Sequence, residues 1–193
     1  MNIRATRLTG AATAIMALTP SIANAHTGGD PLHGLVAGLA HPIFGLDHLL
    51  AMLAVGMIAA RTGGRGIAAL PLSFVAAMLA GAALGMSGVA LPAVEPSIAL
   101  SLVVLGAIMA FGRRQPLARS CALVGLFGLF HGHAHGLEVP ASASGLAYVA
   151  GFVAATLALH GTGALVGARG LLMRGFGAGT ALFGLAIAAT QAV

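Results

Sequence analysis

The chain carries eight histidines and four acids in 193 residues, and most of them fall in three short segments. One is His41-Pro42-Ile43-Phe44-Gly45-Leu46-Asp47-His48, and another is Phe130-His131-Gly132-His133-Ala134-His135-Gly136-Leu137-Glu138. The third is the looser group His26, Asp30 and His33. On a helix, His41 and His48 share a face seven residues apart, with Asp47 about 100° around the axis from His48. His131, His135 and Glu138 form an i, i+4, i+7 stripe, and His133 points to nearly the opposite side. Imidazole and carboxylate donors in this pattern suit nickel, cobalt, zinc or copper, and two histidines one turn apart can hold one ion together.

The surroundings of these groups are apolar. With 59% hydrophobic and 7% charged residues, an ordinary soluble domain is excluded and a membrane protein is expected. An acid at the centre of a membrane helix costs about 2.5–3.5 kcal/mol on insertion scales, so the grouping of histidines and acids calls for a functional reason. The net charge of +5 comes from arginines scattered between apolar runs, which excludes nucleic acid as a partner and gives the arginines a topological role. The single cysteine, Cys121, rules out an internal disulfide and a cysteine-rich zinc site. No nucleotide-binding loop of the G-x-x-x-x-G-K-[ST] kind is present, so an ion gradient, the membrane potential or a partner must drive any transport.

The elements that position the donors are expected to be all α-helical. Arg4 and Arg7 precede the apolar run Ala11 to Leu18, which leads to Ala23-Asn24-Ala25, so residues 1–25 read as a cleavable signal peptide. Cleavage leaves a transmembrane domain of residues 26–193 that begins with His26 outside the cytoplasm. Apolar stretches predict a polytopic bundle of six helices at about 35–60, 66–86, 96–112, 117–138, 143–167 and 175–192. All arginines after the signal then lie on the cytoplasmic side, which places the chain in the bacterial inner membrane with both termini periplasmic. Span 1 runs inward and span 4 outward. At 1.5 Å per residue, His48 and Asp47 should stand level with His131, and His41 level with His135. Pro42 and Gly45 loosen span 1 where transporters place their sites. The pairs Gly81/Gly85, Gly132/Gly136, Gly163/Gly167 and Gly175/Gly179 are expected at helix contacts. His160, farther along span 5, is read either as a packing group or as an inner relay.

The two histidine segments, together with a mature start at His26-Thr27-Gly28, resemble the HupE/UreJ family over essentially the whole length of the chain. The resemblance implies a nickel, sometimes cobalt, permease serving hydrogenase or urease maturation. The motif histidines and acid would handle the ion, and no prosthetic group is expected. The metal-handling residues expected are His41, Asp47, His48, His131, His135 and Glu138, with His26 and His33 collecting ions outside. The expected partners are the divalent ion and the lipid bilayer, with a homo-oligomer or a metallochaperone left open. Two rival readings are a membrane-embedded metallohydrolase or hydroxylase, since three histidines and an acid around zinc or iron activate water, and a metal-binding accessory protein that moves nothing.

Overall fold

The computed structural model describes residues 31–112, 114–137, 139, 143–167 and 170–191. The signal segment, His26, Asp30, Glu138, Arg113 and Arg169 lie outside them. The described residues form helices and no strand: α1 Pro31–Phe44, α2 Leu46–Thr62, α3 Gly66–Met86, α4 Val94–Phe111, α5 Leu117–Gly136, α6 Ala143–Gly167 and α7 Gly170–Gln191. Proline opens α1, where its missing N–H costs nothing. Gly112, at φ 64°, closes α4 with its N–H on the Ile108 carbonyl.

The helices α3, α4, α6 and α7 are individually long and apolar enough to cross a bilayer, and α1 with α2 makes a fifth, bent span. At 20 residues, α5 reaches about 30 Å and is long enough to cross as well. Its histidines and Arg119 make it less apolar than the others. The six expected spans are therefore recognisable, with one change. Span 1 is two helices meeting at 78° rather than one loosened helix. Gly45 is the joint: its N–H donates to the His41 carbonyl, and its own carbonyl accepts from Leu49 N–H. The hydrogen-bond ladders thus run up to the break from both sides, while φ −76° and ψ 105° at Gly45 turn the chain.

Packing directions agree with alternating spans. The α3 and α5 helices run parallel, with Gly128 against Phe74, Gly132 against Met78 and Gly136 against Ala82. The bent pair runs parallel to α6, with Gly38 against Tyr148 and Gly163 against Leu53. The α4 and α7 helices run antiparallel, since Gly106 meets Gly177 while Gly184 meets Ala99. Helices separated by an even number of crossings are parallel and those separated by an odd number are antiparallel, as six consecutive crossings require. Arg61 supports the same arrangement, because its guanidinium donates to the Gly112 carbonyl and joins the ends of α2 and α4.

Expectation and structure part at Gly175 and Gly179. Among the described residues, a Cβ added at either meets nothing within 4 Å, whereas Gly177 and Gly184 carry the contact with α4. Small residues lie all around α7, so the four-residue spacing does not fix which side of the helix packs.

At the centre lies α2, in contact with every other helix. Met52, Ala54, Val55, Met57 and Ala59 on it are buried, as expected of a helix apolar on all sides. Its first turn, holding Asp47 and His48, is therefore set inside the bundle at the break.

Candidate metal centre

The break at Gly45 determines how the first histidine pair meets. In a straight helix, residues seven apart stand about 10.5 Å apart along the axis. Across the bend, the rings of His41 and His48 come to 5.7 Å between centroids. The carbonyl end of α1 faces this point, and the carboxylate of Asp47 sits in the first turn of α2, where the helix dipole favours it.

Asp47 holds His48 with two hydrogen bonds. Its Oδ1 accepts the His48 backbone N–H at 2.8 Å and the His48 ring Nδ1–H at 2.8 Å. With Nδ1 protonated, His48 keeps a lone pair on Nε2 and turns it into the bundle. This is the carboxylate–histidine arrangement that fixes the tautomer and orientation of a metal-binding imidazole. The Nε2 atom of His135 lies 2.5 Å from the Nε2 of His48 and donates to it.

His131 is oriented in the same way by a different acceptor. Its Nδ1–H donates to the Phe127 carbonyl at 2.9 Å, one turn earlier on α5. Its Nε2 is buried with no hydrogen-bond partner among the described residues. The His48 and His131 rings are 5.0 Å apart, those of His48 and His135 4.4 Å, and those of His41 and His135 4.4 Å. The expected levels are thus reproduced for His131 and His135, and His48 reaches both. Close passage of α3 makes this possible, since Gly132, between the two α5 histidines, leaves room for the Met78 backbone.

Among the described residues, no three of these donors are already arranged as ligands around one point. The reason is local. Two imidazole nitrogens that share one ion, each at about 2.0–2.1 Å, stand about 3 Å or more apart. The His48 and His135 nitrogens are closer because a proton lies between them. Less than about 1 Å of ring movement and a tautomeric shift of that proton to Nδ1 of His135 convert the pair into two metal donors.

The remaining sequence candidates separate from this cluster. His33 is exposed on the first turn of α1, about 12 Å along the axis from His41. His26 and Glu138 fall outside the described residues. His133 does point away, as expected, and its Nε2 hydrogen-bonds to the Val89 carbonyl at 2.7 Å, tying α5 to the segment after α3. Its expected role is therefore structural. His133→Ala should lower the thermal unfolding midpoint in detergent, through the loss of a part-buried bond worth about 0.5–1.5 kcal/mol. Metal affinity, followed by titration of the same sample, should stay unchanged.

Sequence reasoning passed over the aromatic wall. On α6, Phe152 lies 4.6 Å from the His135 ring, 6.0 Å from His41 and 6.3 Å from His48, and Tyr148 lies 6.1 Å from His41. These rings pack against one side of the histidine cluster. Tyr148, Phe152, Thr156 and His160 do recur every four residues, a faint signal in a helix where nearly every other position is also apolar or small.

The family described as "HupE / UreJ protein" matches residues 14–191. "Protein HupE" of Rhizobium leguminosarum bv. viciae is 49% identical over 143 residues, covering 73% of this chain and 73% of that protein. No solved structure matches the chain. A polytopic helical bundle, paired histidine segments on crossing helices and a match over nearly the whole length lead to one assignment: the chain belongs to the HupE/UreJ family of membrane-embedded nickel/cobalt transport accessory proteins, which are not enzymes.

Proposed function

We propose that the chain is a permease that carries a divalent transition metal, Ni2+ first and Co2+ second, from the periplasm to the cytoplasm in support of hydrogenase or urease maturation. In this reading residues 1–25 are removed as a signal peptide, and the mature chain lies in the inner membrane with both termini periplasmic. His26, His33 and Glu138 gather the ion at the outer face. It then exchanges its water for His41, Asp47, His48, His131 and His135. A homo-oligomer or a metallochaperone receiving the ion inside is compatible with this scheme.

The observation that carries the reading is the position of His48. Its Nδ1 is fixed by Asp47, its Nε2 contacts His135, and its ring lies beside that of His131. The buried imidazoles of His48 on α2 and of His131 and His135 on α5 thus lie side by side, and neither helix supplies enough of them alone. Overlapping pairs allow ligand exchange in steps, which conduction requires: a site must bind well enough to admit an ion and weakly enough to release it.

The test is radioactive Ni2+ flux into proteoliposomes containing wild-type, His48→Ala or His131→Ala protein. Both variants should lose flux. Wild-type flux at equal protein density would sink the proposal, and retained binding without any wild-type flux would favour a metal-binding accessory protein. Competing Co2+, Zn2+ and Cu2+ in the same assay rank selectivity, because these ligands alone favour Cu2+ over Ni2+.

A further inference from the structure

Below the histidine cluster, α6 carries a second set of polar groups, Thr156 and His160, the latter read from the sequence as either a packing group or an inner relay. Thr156 and His160 are 0% and 2% exposed. Among the described residues, the Thr156 hydroxyl and both ring nitrogens of His160 are buried without a hydrogen-bond partner. A threonine in a helix readily bonds the carbonyl one turn back, as Thr62 does with Ile58 at 2.8 Å and Thr162 with Ala158 at 2.9 Å. Thr156 makes no such bond. Packing alone does not account for three orphaned polar atoms on one face of one helix, because a valine and a leucine would fill the space without the desolvation cost.

Their placement gives the orphaned groups a direction. Phe152, which packs on the His135 ring, is one turn before Thr156 on α6 and two turns before His160. On the facing helix, Gly56 lies against the His160 backbone, two turns beyond His48 and towards the end that carries Arg61. Phe74 of α3 stands between the two levels, with its ring 5.7 Å from that of His131 and 5.3 Å from that of His160. A line from the outer cluster towards the arginine-bearing end thus passes Phe74 and arrives at His160.

We propose that the Thr156 hydroxyl and an imidazole nitrogen of His160 form an inner station for a divalent transition-metal ion, reached from the outer cluster past the Phe74 ring. The inference rests on reading the outer cluster as a cargo site. The inner donors are neutral, with no carboxylate beside them on α6, so the inner station binds more weakly than the outer one and favours release.

The test combines equilibrium dialysis of radioactive Ni2+ against the purified full-length chain with flux in proteoliposomes. It compares wild type, His160→Gln, Thr156→Val and His48→Ala. His160→Gln should bind one ion fewer than wild type, keep the tighter ion and lose flux about tenfold. His48→Ala should lose the tighter ion instead. Thr156→Val fills the same volume with a methyl group, so it should fold at least as stably as wild type and still lose flux, which keeps the test decisive if His160→Gln does not fold. Wild-type ion count and flux in His160→Gln, or wild-type flux in a stably folded Thr156→Val, would overturn the inner station. A full ion count in His48→Ala together with one ion fewer in His160→Gln supports the inner station while defeating the reading of the outer cluster.

Discussion

Asp47→Asn is expected to weaken Ni2+ binding by about 10–100-fold, the usual cost of removing the group that orients a metal-binding histidine. The substitution preserves shape and leaves an acceptor oxygen, so the 2.8 Å contacts to the His48 backbone and ring can persist in part. Two other properties are lost. The negative charge that draws a divalent cation to the break in span 1 disappears, and an amide can rotate to offer its NH2 instead. His48 is then free to place its proton on Nε2, where it can neither bind an ion nor accept from His135. The measurements are Ni2+ titration of the purified protein and uptake at a series of Ni2+ concentrations. Affinity should fall with little change in thermal stability, because Asp47 is only partly buried. Wild-type affinity in Asp47→Asn would show that the carboxylate plays no part in binding.

Gly132→Val should abolish uptake without altering any proposed ligand. A Cβ at residue 132 falls on the Met78 carbonyl of α3, and the atoms it meets are backbone, which cannot turn aside. The two helices must separate, at a cost of about 1–3 kcal/mol or more from overpacking. Since His131 and His135 flank this position, they move with α5 and lose their register with His48. Gly161→Ala is the matched control. A Cβ there meets nothing within 4 Å, and replacing a helical glycine contributes about 0.5–1 kcal/mol of stability. Flux and melting temperature should both fall in Gly132→Val, and neither should fall in Gly161→Ala. Normal flux in Gly132→Val would mean that the spacing of α3 and α5 does not govern the donors.

The meetings of His48 with His131 and of His41 with His135 were legible because depth in a membrane helix follows from residue count and direction, and direction follows from the parity of the spans; the contact of His48 with His135 was not. The angle at Gly45 was not legible. Pro42 and Gly45 mark a weak point, but the 78° turn is set by the surfaces of α1 and α2 that pack against α6. Phe152, Tyr148 and Thr156 were hidden for a different reason. In a soluble helix an apolar stripe stands out against polar residues, whereas in a membrane span nearly every position is apolar and the buried face carries no contrast. The α7 contact was misplaced on Gly175 and Gly179 for the same want of contrast, whereas Gly177 and Gly184 make it.

The glycine-lined contacts also divide the molecule. His41, Asp47 and His48 ride on α1 and α2, held to α6, while His131 and His135 ride on α5, held to α3. Each assembly is locked backbone to backbone, so neither can change the spacing of its own donors. The imidazole contact between His48 and His135 spans the seam between them, and slippage along that seam by a fraction of an ångström is enough to undo it. The grip on a cargo ion is therefore a property of how two stiff jaws stand against each other, and a mutation far from any histidine can loosen it by shifting the seam.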